Sequence, residues 1–188
     1  METKIEITKV KLTKEETAKI EYRIIDQASL KTFSEMSGSY TNMVHKDFKT
    51  ALAGLVPHML LITQFTDKDL DKLGKKDLKD YEVRGISIGG DEIHGVVISG
   101  RKNLKSGKIF NINTPFTAYE LGEDDSYDYP EELEEALQLV YEEAIEYIFN
   151  GKKDDSQHEL FNKDGEKKED TEEEIKEKSH MDLVETEA

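Results

Sequence analysis

The sequence predicts an α+β domain over residues 1–150, with an antiparallel, meander-like sheet covered on one face by two helices. A disordered acidic tail is expected over residues 151–188. Three observations support this. Apolar residues alternate at Ile5 and Ile7 and again at Ala18, Ile20, Tyr22 and Ile24, as half-buried strands require. They recur every three to four residues over 48–62 and 133–148, as on the buried stripe of a helix. Charge is also unevenly placed: residues 1–118 hold 19 Lys+Arg against 16 Asp+Glu, and residues 119–188 hold 7 against 26. The net charge of −16 therefore conceals a mildly basic body and a C-terminal end too polar to bury a core.

In chain order, residues 3–12 form the first strand. Its phase changes after Ile7, because Val10 and Leu12 carry the apolar positions onward. Residues 18–26 are its partner across the polar link Thr13–Thr17, and 29–38 is a weaker strand followed by a loop over 39–44. A helix starts near His45 and carries Phe48, Ala51, Leu52, Leu55, Met59 and Ile62. Pro57 lies within it and predicts a kink or two abutting pieces.

The charged stretch 66–81 allows only a short helix or turn. Val83–Ile88 and Ile93–Gly100 flank Gly89-Gly90-Asp91-Glu92 and read as a hairpin. A basic turn over 101–108 leads to a last strand, Ile109–Asn113, which Thr114-Pro115 ends because proline cannot donate to a ladder. After an acidic loop, Pro130-Glu131-Glu132 opens the final helix, and Asn150-Gly151 closes it.

Composition limits the chemistry. Without cysteine there is no disulfide and no thiolate ligand or nucleophile. The apolar run at 52–62 is too short for a bilayer and the N-terminus lacks a signal-peptide core, so a cytoplasmic protein without membrane contact is expected. No His-x-x-x-His spacing puts two ligands on one helical face, so no metal is expected. No phosphate loop, nucleophile elbow or dinucleotide fingerprint is expected either, hence no catalytic residue, no cofactor and no enzyme. Asp91 and Glu92 at the hairpin tip could hold Mg²⁺ in a nuclease, but turn chemistry accounts for them more simply.

Two features point to partners. Arg101, Lys102, Lys105 and Lys108 cluster on one connection, with Phe110 just beyond and Arg84 on the neighbouring strand. Cations that track phosphate beside an aromatic face are what single-stranded nucleic-acid binding needs. The second feature is the island Gln157-His158-Glu159-Leu160-Phe161 within the charged tail, where an exposed Leu-Phe pair reads as a docking peptide.

The pattern Gln-x-x-Leu-Phe resembles the peptide by which bacterial and phage DNA-handling proteins bind the replicative sliding clamp. That resemblance implies that Leu160 and Phe161 fill an apolar pocket while Gln157 hydrogen-bonds at its rim. Val83-Arg84-Gly85-Ile86-Ser87 through Gly95, Asn113-Thr114-Pro115 and His45-Lys46-Asp47-Phe48 together resemble small phage- and prophage-encoded proteins. This second likeness implies a setting near DNA replication and supplies no catalytic residue.

The expected function is that of a phage-type accessory protein of DNA replication or recombination. Its body would bind single-stranded nucleic acid and its tail the sliding clamp. The alternative is a pure interaction protein, an inhibitor or decoy of a host protein, without nucleic-acid binding.

Overall fold

In the computed structural model, residues 3–29, 31–90, 94–119 and 127–154 are described, apart from the side chain of Phe33. The hairpin tip 91–93, most of the acidic loop and the docking peptide with Gln157, Leu160 and Phe161 lie outside them. The chain divides at Lys153/Asp154 into two units, and the first of them carries the sheet and the helices.

Seven strands form one antiparallel sheet among the described residues: β1 Thr3–Leu12, β2 Thr17–Asp26, β3 Lys31–Met43, β4 Tyr81–Gly89, β5 Gly95–Asn103, β6 Ile109–Asn113 and β7 Thr117–Ala118. The order is β3-β2-β1-β4-β5-β6, with β7 on β5 beside β6. Two meanders, β1–β3 and β4–β6, thus lie side by side. They meet only at Lys9↔Ser87, Val10↔Ile86 and Lys11↔Gly85.

The four helices are α1 Lys46–Gly54, α2 Val56–Ile62, the single turn α3 Lys75–Leu78 and α4 Pro130–Phe149. Their apolar sides and one sheet face enclose the core, which includes Ile7, Val10, Ile20, Phe48, Leu52, Met59, Ile86, Ile98, Leu133 and Leu137. The other sheet face is left open.

Bulges keep the core residues in phase. The β1–β2 register slips between Ile7 and Lys9, so Ile7 and Val10, three apart, both reach the core. The β4–β5 register slips between Val83 and Gly85 and does the same for Val83 and Ile86, leaving Arg84 as the extra residue.

Pro57 divides the first helix as expected. Leu55 serves both as C-cap of α1 and N-cap of α2, and His45 caps α1 by accepting from the Asp47 amide at 3.3 Å. The last helix begins at Pro130 and stops at Asn150, with Gly151 at φ +68°.

Three expectations need correction. Residues 39–43 are not a loop: β3 runs on to Met43, because its Ser-, Gly- and Thr-rich stretch is paired with β2 despite low strand propensity. The fold also does not stop at residue 150. Lys152 bonds Glu143 at 2.7 Å and Asp47 at 3.0 Å, and Lys153 bridges Val44.

The third concerns the edge after β6, which resumes as β7 instead of ending at Pro115. Across the gap, the Thr114 amide donates to the Ile98 carbonyl at 3.0 Å and its hydroxyl accepts from the Ile98 amide at 2.9 Å. Thr114 is buried, so Thr114→Val strands a buried donor and is expected to cost about 1–3 kcal/mol. Urea denaturation should register this as a lower midpoint at unchanged slope.

Candidate functional site

Strand alternation decides where each cation of the basic turn points. Gly100 faces Met59 on the helix side, so Lys102 shares that side, and Arg101 faces the open side. Phe110 has the parity of buried Ile112 and meets Phe65 at a ring distance of 6.3 Å, again on the helix side. Lys102 sits 4.7 Å from the Tyr81 ring centroid. Lys105 and Lys108 are exposed on the turn between β5 and β6, and neither makes an ion pair among the described residues.

Arg84 and Arg101 do converge, on Glu82. One carboxylate oxygen takes Arg84 Nη1 at 2.6 Å and the other takes Arg101 Nε at 2.8 Å, while Arg84 also donates to the Thr13 carbonyl. Burial alone would raise the Glu82 carboxyl, but hydrogen bonds from Arg84 and Arg101 outweigh it and hold it below its ordinary value. The six residues expected to form one interface therefore divide between two faces, and two of them are already engaged by a carboxylate.

The open face carries a better-built site that the basic turn does not include. A shallow groove of about 430 Å³ crosses the junction of the two meanders, with Lys9, Lys11, Arg84, Ser87, Asn111 and Asn113 among its lining residues. Its floor is Gly85, where a Cβ would stand 2.3 Å from the Val10 carbonyl oxygen. Only glycine lets β1 and β4 approach so closely there.

Beside the groove, β1 and β2 place Lys11 directly opposite Lys19. Like charges directly opposed across strands are destabilising. Neighbouring cations are neutralised: Lys9 by Glu21 at 3.2 Å and Arg23 by Glu35 at 3.2 Å. Lys11 and Lys19 are both exposed and have no ion pair among the described residues. Two uncompensated cations beside amide and hydroxyl side chains can accept a phosphodiester chain through charge-assisted hydrogen bonds.

Other features of the body do not assemble an active site. Gly85-Ile86-Ser87-Ile88-Gly89 has the spacing of a nucleophile elbow, contrary to expectation. Ser87 nevertheless lies within β4, paired with Lys9, not at a strand-to-helix turn. His58 is buried and hydrogen-bonded to the Tyr127 hydroxyl at 2.7 Å. Burial lowers its pKa to about 4, against a smaller opposing effect of Glu132.

A second cleft, about 290 Å³, opens where β1 splays from β4 beneath α4. It pairs Lys4 with Glu6 and Glu134 in its lining and so carries no cationic excess. Among the described residues no group of three His, Cys, Asp or Glu is placed to hold a metal ion, and Asp91 and Glu92 lie outside them. No described helix is long and apolar enough to cross a membrane.

No protein-family model matches the chain, and no curated protein or solved structure matches it either.

Proposed function

We propose that this chain is a non-enzymatic accessory protein of DNA replication or recombination. Its body binds single-stranded nucleic acid across the open sheet face, and its C-terminal peptide docks on a bacterial sliding clamp. The observation that supports the first half best is the opposed, uncompensated pair Lys11–Lys19 beside a glycine-floored groove lined with Ser and Asn. A fold that sets two lysines against each other sacrifices stability, and a bound phosphate would offset that loss.

The second half rests on Gln157, Leu160 and Phe161 as a resemblance to clamp-binding peptides. The mechanism is tethering: a weak peptide contact raises the local concentration of the body near clamp-loaded DNA, with no new chemistry.

Two titrations of the full-length protein test this. A labelled oligo-dT should bind with an affinity that falls steeply as salt rises. The sliding clamp should bind the wild type, and the Leu160→Ala/Phe161→Ala double variant should lose that binding while holding the oligonucleotide unchanged. Clamp binding without salt-dependent strand binding would instead mark the chain as an inhibitor or decoy. Strand binding alone would reduce Gln157–Phe161 to a chance match.

A further inference from the structure

We infer that Phe116 is a base-stacking platform on the open sheet face, so the ligand proposed above is a strand with unpaired, splayed bases and not a duplex. The inference rests on that reading of the face and adds the group that reads bases. Phe116 is 51% exposed, and it follows the break at Thr114-Pro115. Within β7, Thr117 pairs with Val96 and is buried toward the core, so the preceding Phe116 projects to the open side.

The ring does not wave in solvent. Its far end occupies the space where a Cβ at Gly95 would stand, with Cζ 2.4 Å and Cε1 2.7 Å from that position. Glycine at 95 thus gives the ring a seat on the β5 backbone while half of its surface stays open to water.

The other exposed phenylalanines are engaged on the helix side. Phe65 and Phe110 pack on each other, and Phe149 meets Tyr22 edge-on at 5.5 Å. Phe116 is the one aromatic that the described side chains place on the open face. Gly95 lies four residues along β5 from Ser99, which lines the groove, a distance of about 13 Å at the usual rise of a strand. Asn113, hydrogen-bonded to Ser99 at 2.8 Å, continues the polar lining toward the Thr114-Pro115 break. A chain with phosphates at Lys11 and Lys19 can therefore extend along the face and lay a base on Phe116. Such stacking tolerates any base, because each has a π-face. A duplex, with its bases already stacked and paired, offers the ring nothing.

The chain contains no tryptophan, so Phe116→Trp installs a single fluorescent reporter in the full-length protein. The expected result is quenching of its emission by dT20 but not by an abasic deoxyribose-phosphate oligomer of the same length. Phe116→Ala should weaken dT20 binding about tenfold and leave both abasic-oligomer binding and the salt slope as in the wild type. Gly95→Ala, which keeps the phenylalanine but displaces it from its seat, should weaken dT20 in the same selective way. If Phe116→Ala and Gly95→Ala bind dT20 like the wild type and the tryptophan is not quenched, stacking is overturned while the polyanion face stands. If neither oligomer binds in a salt-dependent way, both readings fall together.

Discussion

Lys19→Glu is expected to stabilise the protein and to disable it at once. Lys19 stands directly opposite Lys11 on the open face, so the substitution turns a repulsive cross-strand pair into an attractive one. Such pairs are worth roughly 0.2–1 kcal/mol, which thermal unfolding should detect as a raised midpoint. The same change removes one cation from the ligand and ties up the other. With two phosphates no longer neutralised, the slope of log affinity against log salt for a single strand should shrink by about 1.4. Charge-assisted hydrogen bonds contribute roughly 1.5–3 kcal/mol each, so affinity should fall on the order of a hundredfold or more. The opposite signs of the two effects separate lost binding from lost folding. Unchanged oligonucleotide affinity in a folded Lys19→Glu protein would remove this pair from the interface.

Acid sensitivity is the second large effect, and its source is His58. This side chain is 4% exposed, and burial holds its pKa near 4, below the ordinary 6.5. Between those values the unfolded chain binds a proton that the folded chain refuses. Stability from this group is therefore complete above pH 6.5, falls as the pH drops through the window, and levels off below about 4. The full loss is about 3 kcal/mol. Tyr127, its hydrogen-bond partner, has its own pKa raised by burial and by nearby Glu132, Tyr129 and Asp128, so its hydroxyl stays protonated throughout. Carboxylates elsewhere add their own acid dependence. The contribution of His58 is the difference between the wild type and His58→Gln, whose amide can still meet Tyr127. The wild-type midpoint should drop more steeply between pH 6.5 and 4 than that of the variant. Parallel curves would assign the acid response to other groups.

Much of the fold was legible because local chemistry dictates it. Ile5 and Ile7 followed by Val10 and Leu12 announced the bulge in β1, Pro57 announced the break between α1 and α2, and Pro130 with Asn150-Gly151 bounded α4. The third strand was only half legible. Its residues 37–42 carry little strand preference, and what extends them is the partner β2.

The site was harder to read for a related reason. Arg101 and Lys102 are neighbours in sequence, yet successive residues of a strand point to opposite faces. The bulge at Arg84 then brings that residue to the side of Glu82 and Arg101, which spacing alone does not reveal. Lys11 and Lys19 are eight apart and meet only through the register of β1 on β2. A cluster of cations on one turn was visible, but a pair made by register was not.

The narrow junction of the two meanders has a consequence for how the domain assembles. Each meander closes through contacts between strands adjacent in sequence, which chain entropy allows to form early. The three residue pairs that join β1 to β4 bring together positions some 75 residues apart and cannot form until the intervening helices have collapsed. The seam is thus expected to close late and reopen early, with Gly85 at its tightest point. A chain laid along the groove would touch Lys9 and Lys11 on one side and Ser87 on the other, and would bind only after the last step of folding was complete.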